Sequence, residues 1–233
     1  MIQRGVAYEI TGGKADARGI VVTKTSWNDR MLDIRMFPMM TTREVRSPYL
    51  AYERGFAYDA ATIVAVPREF VGEARFTPDD ATLAALERQL GDLLELHRLT
   101  SDPPRGMRPP AGPIDYPQWG EIYYIAGQRF DGETKRYVVV SGDRWNQQKQ
   151  TVLVVRLTSQ PKFPSDEFPE LSGYQACCGE LTAVSAHRVE LRQRPAEGAR
   201  RVGLTDMAAI GRGIINTHVL RAYLDPIELE VVS

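Results

Sequence analysis

The sequence predicts an α+β chain, mainly β, in which one small barrel-like unit is used twice. Three observations carry this expectation. Arg18-Gly-Ile-Val-Val-Thr-Lys-Thr-Ser-Trp-Asn28 aligns without a gap on Arg136-Tyr-Val-Val-Val-Ser-Gly-Asp-Arg-Trp-Asn146, an offset of 118 residues, sharing Arg, Val-Val and Trp-Asn. Tyr58-Asp-Ala-Ala-Thr-Ile-Val-Ala-Val-Pro-Arg68 aligns on Cys178-Gly-Glu-Leu-Thr-Ala-Val-Ser-Ala-His-Arg188 at an offset of 120, matching Thr62 with Thr182, Val64 with Val184 and Arg68 with Arg188. Between the halves lies Asp102-Pro-Pro-Arg-Gly-Met-Arg-Pro-Pro-Ala-Gly-Pro113, a proline-dense stretch without apolar periodicity that reads as an extended linker. The expected division is residues 1–98 for the first copy, 99–116 for the linker, 117–225 for the second copy and 226–233 for a tail.

Each copy opens on a strand, Gly5-Val-Ala-Tyr-Glu-Ile10 in the first and Gly120-Glu-Ile-Tyr-Tyr-Ile125 in the second. The order that follows is loop, strand, turn, strand, loop, strand and helix. In the second copy the strands are expected over 120–126, 136–141, 151–157 and 175–184, where Val, Ile, Leu and Tyr concentrate between Gly and Asp. The first helix is announced by Thr77-Pro-Asp-Asp80, with Thr77 read as the N-cap and Pro78 as the first helical residue. Leu83, Leu86, Leu90, Leu93 and Leu94 then recur at spacings of one face of a helix. Its counterpart starts at Thr205-Asp206 and carries Met207, Ile210, Ile214, Ile215 and Val219.

Composition narrows the function classes. The 233 residues are 43% hydrophobic and 25% charged, an ordinary globular balance. Apolar runs such as Val152-Leu153-Val154-Val155 are far shorter than the ~18 residues of a membrane-spanning helix. With no apolar signal core at the N-terminus, a cytoplasmic protein without membrane partners is expected. Twenty-nine Lys and Arg against 30 Asp and Glu give a net charge of −1, so no bulk attraction to nucleic acid is expected. The lysines are only Lys14, Lys24, Lys135, Lys149 and Lys162, so the positive charge is mostly arginine, the side chain suited to forked recognition of phosphate or carboxylate. Cys177 and Cys178 are neighbours and would point to opposite faces of a strand, which excludes a disulfide scaffold. They and His97, His187 and His218 form no metal-ligand spacing, so neither a metal nor another cofactor is expected.

The candidate chemical centre is Arg136 with Thr158 in the second copy, echoed by Arg18 with Thr41 or Thr42 in the first. Arg136 opens a strand after a polar loop and Thr158 closes the next, so adjacent antiparallel strands are expected to bring a guanidinium and a hydroxyl together. Such a pair suits a phosphate whose negative charge grows during reaction. An edge-strand arginine and a strand-ending threonine with no chemistry would leave the same pattern, and Trp27 and Trp145 fit core plugs as well as stacking platforms.

The ordered set of motifs in the second copy resembles the MazF/PemK/Kid endoribonuclease toxins of bacterial toxin–antitoxin systems. It runs Trp119-Gly-Glu-Ile-Tyr-Tyr-Ile125, Arg136-Tyr-Val-Val-Val-Ser-Gly-Asp-Arg-Trp-Asn146, Val152-Leu-Val-Val-Arg-Leu-Thr-Ser-Gln160 and Cys178-Gly-Glu-Leu-Thr-Ala-Val-Ser185. The resemblance implies tandem SH3-like barrels and metal-independent cleavage of single-stranded RNA by 2′-hydroxyl attack. It implies a cognate antitoxin as partner and a monomer acting as an internal pseudo-dimer. It places catalysis on Arg136 and Thr158, with Arg18 and Thr41 as the first-copy equivalents, and makes Gln128, Arg129, Lys135, Ser159, Asn146 and Asn28 candidate RNA contacts. The chain departs from the family pattern at Tyr137 and Gly19, where a proline is usual, and at Thr182 and Thr62, where an arginine is usual. The alternative is a non-catalytic binding module on the same barrel, for RNA, an antitoxin peptide or a gyrase-like partner.

Overall fold

The computed structural model describes the chain except residues 13–16, 41–48, 107–115, 131–132, 150, 161–164, 166, 190–200, 219 and 221–233, and gives the backbone over 126–130 and 133–134. Two compact units form: Met1–Asp92 with Ile215–Ser233, and Leu93–Ile214. The first contains β1 (Ala7–Ile10), β2 (Arg18–Val21), the single turn α1 (Thr25–Asn28), β3 (Asp33–Met40), β4 (Leu50–Glu53), β5 (Phe56–Asp59), β6 (Val64–Pro67) and β7 (Val71–Phe76), then most of α2 (Asp80–Leu93). The second contains α3 (Leu96–Leu99), β8 (Ile122–Phe130), β9 (Glu133–Val139), α4 (Asp143–Gln148), β10 (Thr151–Thr158), β11 (Glu170–Leu171), β12 (Tyr174–Ser185) and the larger part of α5 (Leu204–His218).

Both sheets are antiparallel. In the first unit the order is β4-β5-β3-β2-β1-β7, with β6 also on β3. In the second it is β11-β12-β10-β9-β8. The first core gathers Tyr8, Val21, Ile34, Met36 and Val66, and the second gathers Tyr123, Ile125, Tyr137, Val139, Val152, Val154, Val184 and Val189. Because β10 is buried from Val152 through Val155, neither face of that strand meets water, which is why its sequence is continuously apolar rather than alternating. Gly19 is needed where β2 crosses β3: a Cβ there would lie 2.8 Å from Cβ of Met36.

The repeated Trp-Asn window folds the same way in both units. The Thr23 hydroxyl donates to Asn28 Oδ1 at 2.5 Å and Asn28 Nδ2 donates back to the Thr23 carbonyl at 3.0 Å. The Ser141 hydroxyl donates to Asn146 Oδ1 at 2.5 Å, and Asn146 Nδ2 donates to the Ser141 carbonyl at 2.9 Å. These closed pairs turn the chain out of the second strand into a short helix while leaving no polar side-chain atom of the asparagine unsatisfied. The next backbone N–H in each unit reaches a helix-end carbonyl: Lys24 to Thr217 in the first and Gly142 to Leu93 in the second, both at 2.9 Å. Helix C-terminal carbonyls lack intrahelical partners, so each bond satisfies a group that would otherwise need water.

The N-cap of α2 differs from the sequence expectation. The helix starts at Asp80, and Asp79 rather than Thr77 caps it, its Oδ1 accepting the Thr82 N–H at 2.6 Å. A carboxylate placed three residues before that N–H satisfies an orphan donor and faces the positive end of the helix dipole, which Thr77 is too far upstream to do. This hydrogen bond holds the Asp79 carboxyl below its ordinary pKa. A lowered folded-state value means that the contribution is complete above the ordinary carboxylate pKa of about 3.9 and is lost as pH falls through the folded-state value.

Two outcomes follow. Asn146→Ala, which removes the acceptor of the buried Ser141 hydroxyl while that oxygen still accepts the Leu153 N–H, is expected to destabilise by about 1–3 kcal/mol in urea unfolding, while the exposed Gln147→Ala stays within about 0.5 kcal/mol. Equal midpoints for the two variants would contradict the structural role of the pair. Asp79→Asn is expected to flatten the acid limb of the stability curve below pH ~4, and an unchanged limb in pH-resolved thermal melts would show that the cap is not formed.

Candidate functional site

Arg136 lies on β9, opposite Tyr124 of β8 and Leu157 of β10. Residues opposite one another share a sheet face, so Arg136 and Tyr124 project together. A third residue arrives from the β11–β12 hairpin. Its turn ends at Gly173, whose φ of +91° is one that glycine adopts without steric cost, and the next residue, Tyr174, is thereby brought over the arginine. Arg136 Nη1 donates to the Tyr174 phenol oxygen at 2.5 Å and Nε donates to that of Tyr124 at 3.3 Å. The guanidinium carbon sits 5.2 Å from the Tyr174 ring centroid, within cation–π range. The Tyr124 hydrogen bond outweighs desolvation and raises the Arg136 pKa, so the half-buried group is a fixed positive charge. Two phenols orient it, and Nη2 has no phenol partner among the described residues. That arrangement offers a pre-aimed donor to a phosphate oxygen.

The expected convergence of Arg136 and Thr158 is corrected by the register. Thr158 is the chain neighbour of Leu157 and pairs with Gln175, so alternation along β10 directs it to the sheet face opposite Arg136. The two strands do adjoin at this end, as the sequence indicated. The Thr158 hydroxyl instead accepts the Gln160 N–H at 3.1 Å and donates to the Gln160 carbonyl at 3.4 Å, closing the turn after β10. Thr158 is thus a turn-forming residue in this geometry. Thr41 and Thr42 lie outside the described residues.

Asn28 and Asn146, expected as RNA contacts, are 0% and 2% exposed and spend their amides on the turns described above. They shape the fold and do not present a surface. Ser159 is exposed immediately after Thr158, and Lys135 is half-buried beside Arg136. Gln128 and Arg129 belong to the backbone of β8. Trp27 is a core residue at 2% exposure, whereas half-buried Trp145 donates through Nε1 to the Thr151 carbonyl at 2.8 Å. Arg156, also on β10, is held by Glu180 in a two-pronged ion pair at 2.5 and 2.6 Å, which raises its pKa and engages the guanidinium with protein. Among the described residues no group of three or more His, Cys, Asp or Glu side chains is placed to hold a metal ion.

The first unit builds a variant of the same arrangement. Arg18 of β2 lies opposite Glu9 of β1, and its guanidinium carbon stands 4.5 Å from the centroid of Phe56. Phe56 follows Gly55, at φ +80°, in the β4–β5 hairpin. Arg18, Gly55 and Phe56 therefore stand to Arg136, Gly173 and Tyr174 at the same offset of 118 residues as the Trp-Asn windows. Sequence reading missed both aromatics and the residues opposite the arginines, Tyr124 and Glu9. Extending the fixed offset of 118 into the third loop of each half was the signal that could have found Phe56 and Tyr174.

No protein-family model and no curated protein matches this chain. Among solved structures, an endoribonuclease in complex with its cognate antitoxin from Mycobacterial species is similar at 20% identity, covering 41% of this chain and 97% of that one with a TM-score of 0.37. An endoribonuclease from Mycobacterial species is similar at 18% identity, covering 39% of this chain and 88% of that one with a TM-score of 0.34.

Proposed function

We propose that the chain is a metal-independent endoribonuclease that cleaves single-stranded RNA at Arg136, built as two copies of one SH3-like barrel over residues 1–98 and 117–225. The single observation that carries this reading is the guanidinium of Arg136 held by the phenols of Tyr124 and Tyr174, at the position where the toxin-like motif sets its catalytic arginine. The duplication is supported by arginine, left-handed glycine, aromatic and buried asparagine recurring at one offset. One chain then carries both copies, and a monomer is sufficient.

In the reaction the 2′ oxygen of one nucleotide forms a bond to the adjacent phosphorus and the bond from phosphorus to the 5′ oxygen breaks. The products are a 2′,3′-cyclic phosphate and a free 5′-hydroxyl. Water takes the 2′ proton and returns one to the leaving oxygen, so nothing is oxidised or reduced. Negative charge on the non-bridging oxygens grows at the phosphorane, and Arg136 meets it. Because its orientation is set beforehand by two phenols, little reorganisation is needed as the charge develops. Thr158 acts indirectly by closing the turn that carries Ser159. A cognate antitoxin whose acidic or extended segment covers Arg136 would silence the site.

The test is incubation of end-labelled single-stranded RNA with the protein in EDTA. Cleavage with cyclic-phosphate ends is expected, reduced about 10²–10³-fold by Arg136→Ala and less by Tyr174→Phe, which keeps the ring but removes the orienting hydroxyl. A substrate with 2′-deoxyribose at the scissile position is expected to resist. Cleavage that needs added metal, or an Arg136→Ala protein as active as wild type, would defeat the proposal.

A further inference from the structure

The first unit contains a cleft of about 420 Å³ lined by Glu9, Arg18, Arg54, Phe56, Arg75 and Phe76. Three guanidiniums and one carboxylate line it, and two of the arginines are ion-paired: Arg75 Nη2 lies 2.5 Å from Glu9 Oε2, and Arg54 Nε lies 3.5 Å from Oε1 of Glu53. Arg18 and Arg54 also stand over aromatic rings, their guanidinium carbons 4.5 Å from the Phe56 centroid and 4.9 Å from that of Phe76. Arg54 occupies the first position of the two-residue β4–β5 turn with φ +50°, ahead of Gly55 at φ +80°. Asn, Asp and Gly are the usual residues there, because a long side chain at positive φ is strained. An arginine at that position, with a side chain 64% exposed, places its charge at the rim of the cleft.

We propose that this cleft is a second RNA site, one that holds a single-stranded segment without cutting it. A guanidinium stacked on a phenylalanine presents its other face to an unpaired base and its edge to a phosphate, and single-stranded nucleic acid repeats both groups at every nucleotide. Among the described residues the lining contains no aliphatic side chain. These residues offer nothing to the Leu or Ile anchors of an amphipathic peptide, whereas arginines over aromatic rings suit bases and phosphates, so nucleic acid is the favoured ligand over an acidic peptide. The cleft binds without cleaving because Glu9 stands opposite Arg18 where Tyr124 stands opposite Arg136. A carboxylate beside the phosphate opposes the growth of negative charge in the phosphorane, whereas a phenol does not. The choice of RNA rests on the reading of Arg136 as a ribonuclease site, and division of labour between the units goes beyond it.

The experiment uses the full chain in EDTA and a fluorescein-labelled 2′-O-methyl hexanucleotide, which binds but cannot be cleaved, read by anisotropy. Arg54→Gln is expected to weaken binding tenfold or more and to lower the salt slope by about 1, and Arg75→Gln, which leaves the Glu9 charge uncompensated, is expected to weaken it as well. Arg144→Gln, exposed on α4 and outside the cleft, is expected to weaken binding less than threefold. Circular dichroism confirms that the variants are folded; Arg54 is exposed in a turn, so its replacement leaves the core intact. Unchanged affinity in Arg54→Gln would overturn the proposal. So would an absence of RNA binding combined with Arg54-dependent capture of a labelled oligoglutamate peptide. Binding that depends on Arg54 in a protein that cleaves no RNA would support the second site while removing the ribonuclease reading of Arg136.

Discussion

The contact of a strand arginine with the aromatic residue that follows a left-handed glycine is the constraint on which both arrangements depend. In the second unit the glycine is Gly173 and the aromatic Tyr174; in the first they are Gly55 and Phe56. The hairpin turn determines where the ring lies, the ring and its neighbour determine where the guanidinium lies, and the guanidinium is the group able to meet a phosphate. Each step is local. A hydrogen bond between a charged donor and a phenol contributes only a few kcal/mol at most, but its larger effect is directional, since a flexible arginine otherwise loses entropy whenever it engages a ligand.

The two arginines differ in the residue opposite them on the neighbouring strand. Tyr124 donates nothing to the charge balance and leaves Arg136 as a net positive centre. Glu9 adds a negative charge, which Arg75 balances at 2.5 Å, and both line the cleft with Arg18 and Arg54. A single difference on the first strand of each unit thus gives one arginine a phenol opposite it and the other a carboxylate. The buried turn built by Thr23 with Asn28 and by Ser141 with Asn146 stays the same in both units, since it supports the second strand whatever the arginine does.

Much of this was legible in the residues themselves. The strands of the second copy were expected over 120–126, 136–141, 151–157 and 175–184, and β8, β9, β10 and β12 occupy those stretches with small shifts at their ends. The periodic leucines gave α2 correctly, and Arg136 was singled out by its place before a valine run. What escaped was set by pairing rather than by pattern. Whether Thr158 faces Arg136 depends on a one-residue register, which sequence periodicity does not specify at the end of a strand buried on both faces. Asn28 and Asn146 looked like surface polar residues because a buried asparagine is recognised only once its Thr or Ser partner five residues earlier is known to turn back on it. The capping residue of α2 was misassigned because Thr77 and Asp79 are both good N-caps and only the helix register distinguishes them.

The most direct measurement of the central claim is chemical rescue of the Arg136→Ala protein by guanidinium ion, followed as single-turnover RNA cleavage in EDTA at low millimolar guanidinium. If a positioned guanidinium between Tyr124 and Tyr174 stabilises the phosphorane, the small cation partly restores the lost rate, saturates with concentration, and restores less when Tyr174 is also replaced by alanine. A rate that does not respond to guanidinium, or responds identically with and without the Tyr174 side chain, would contradict the account.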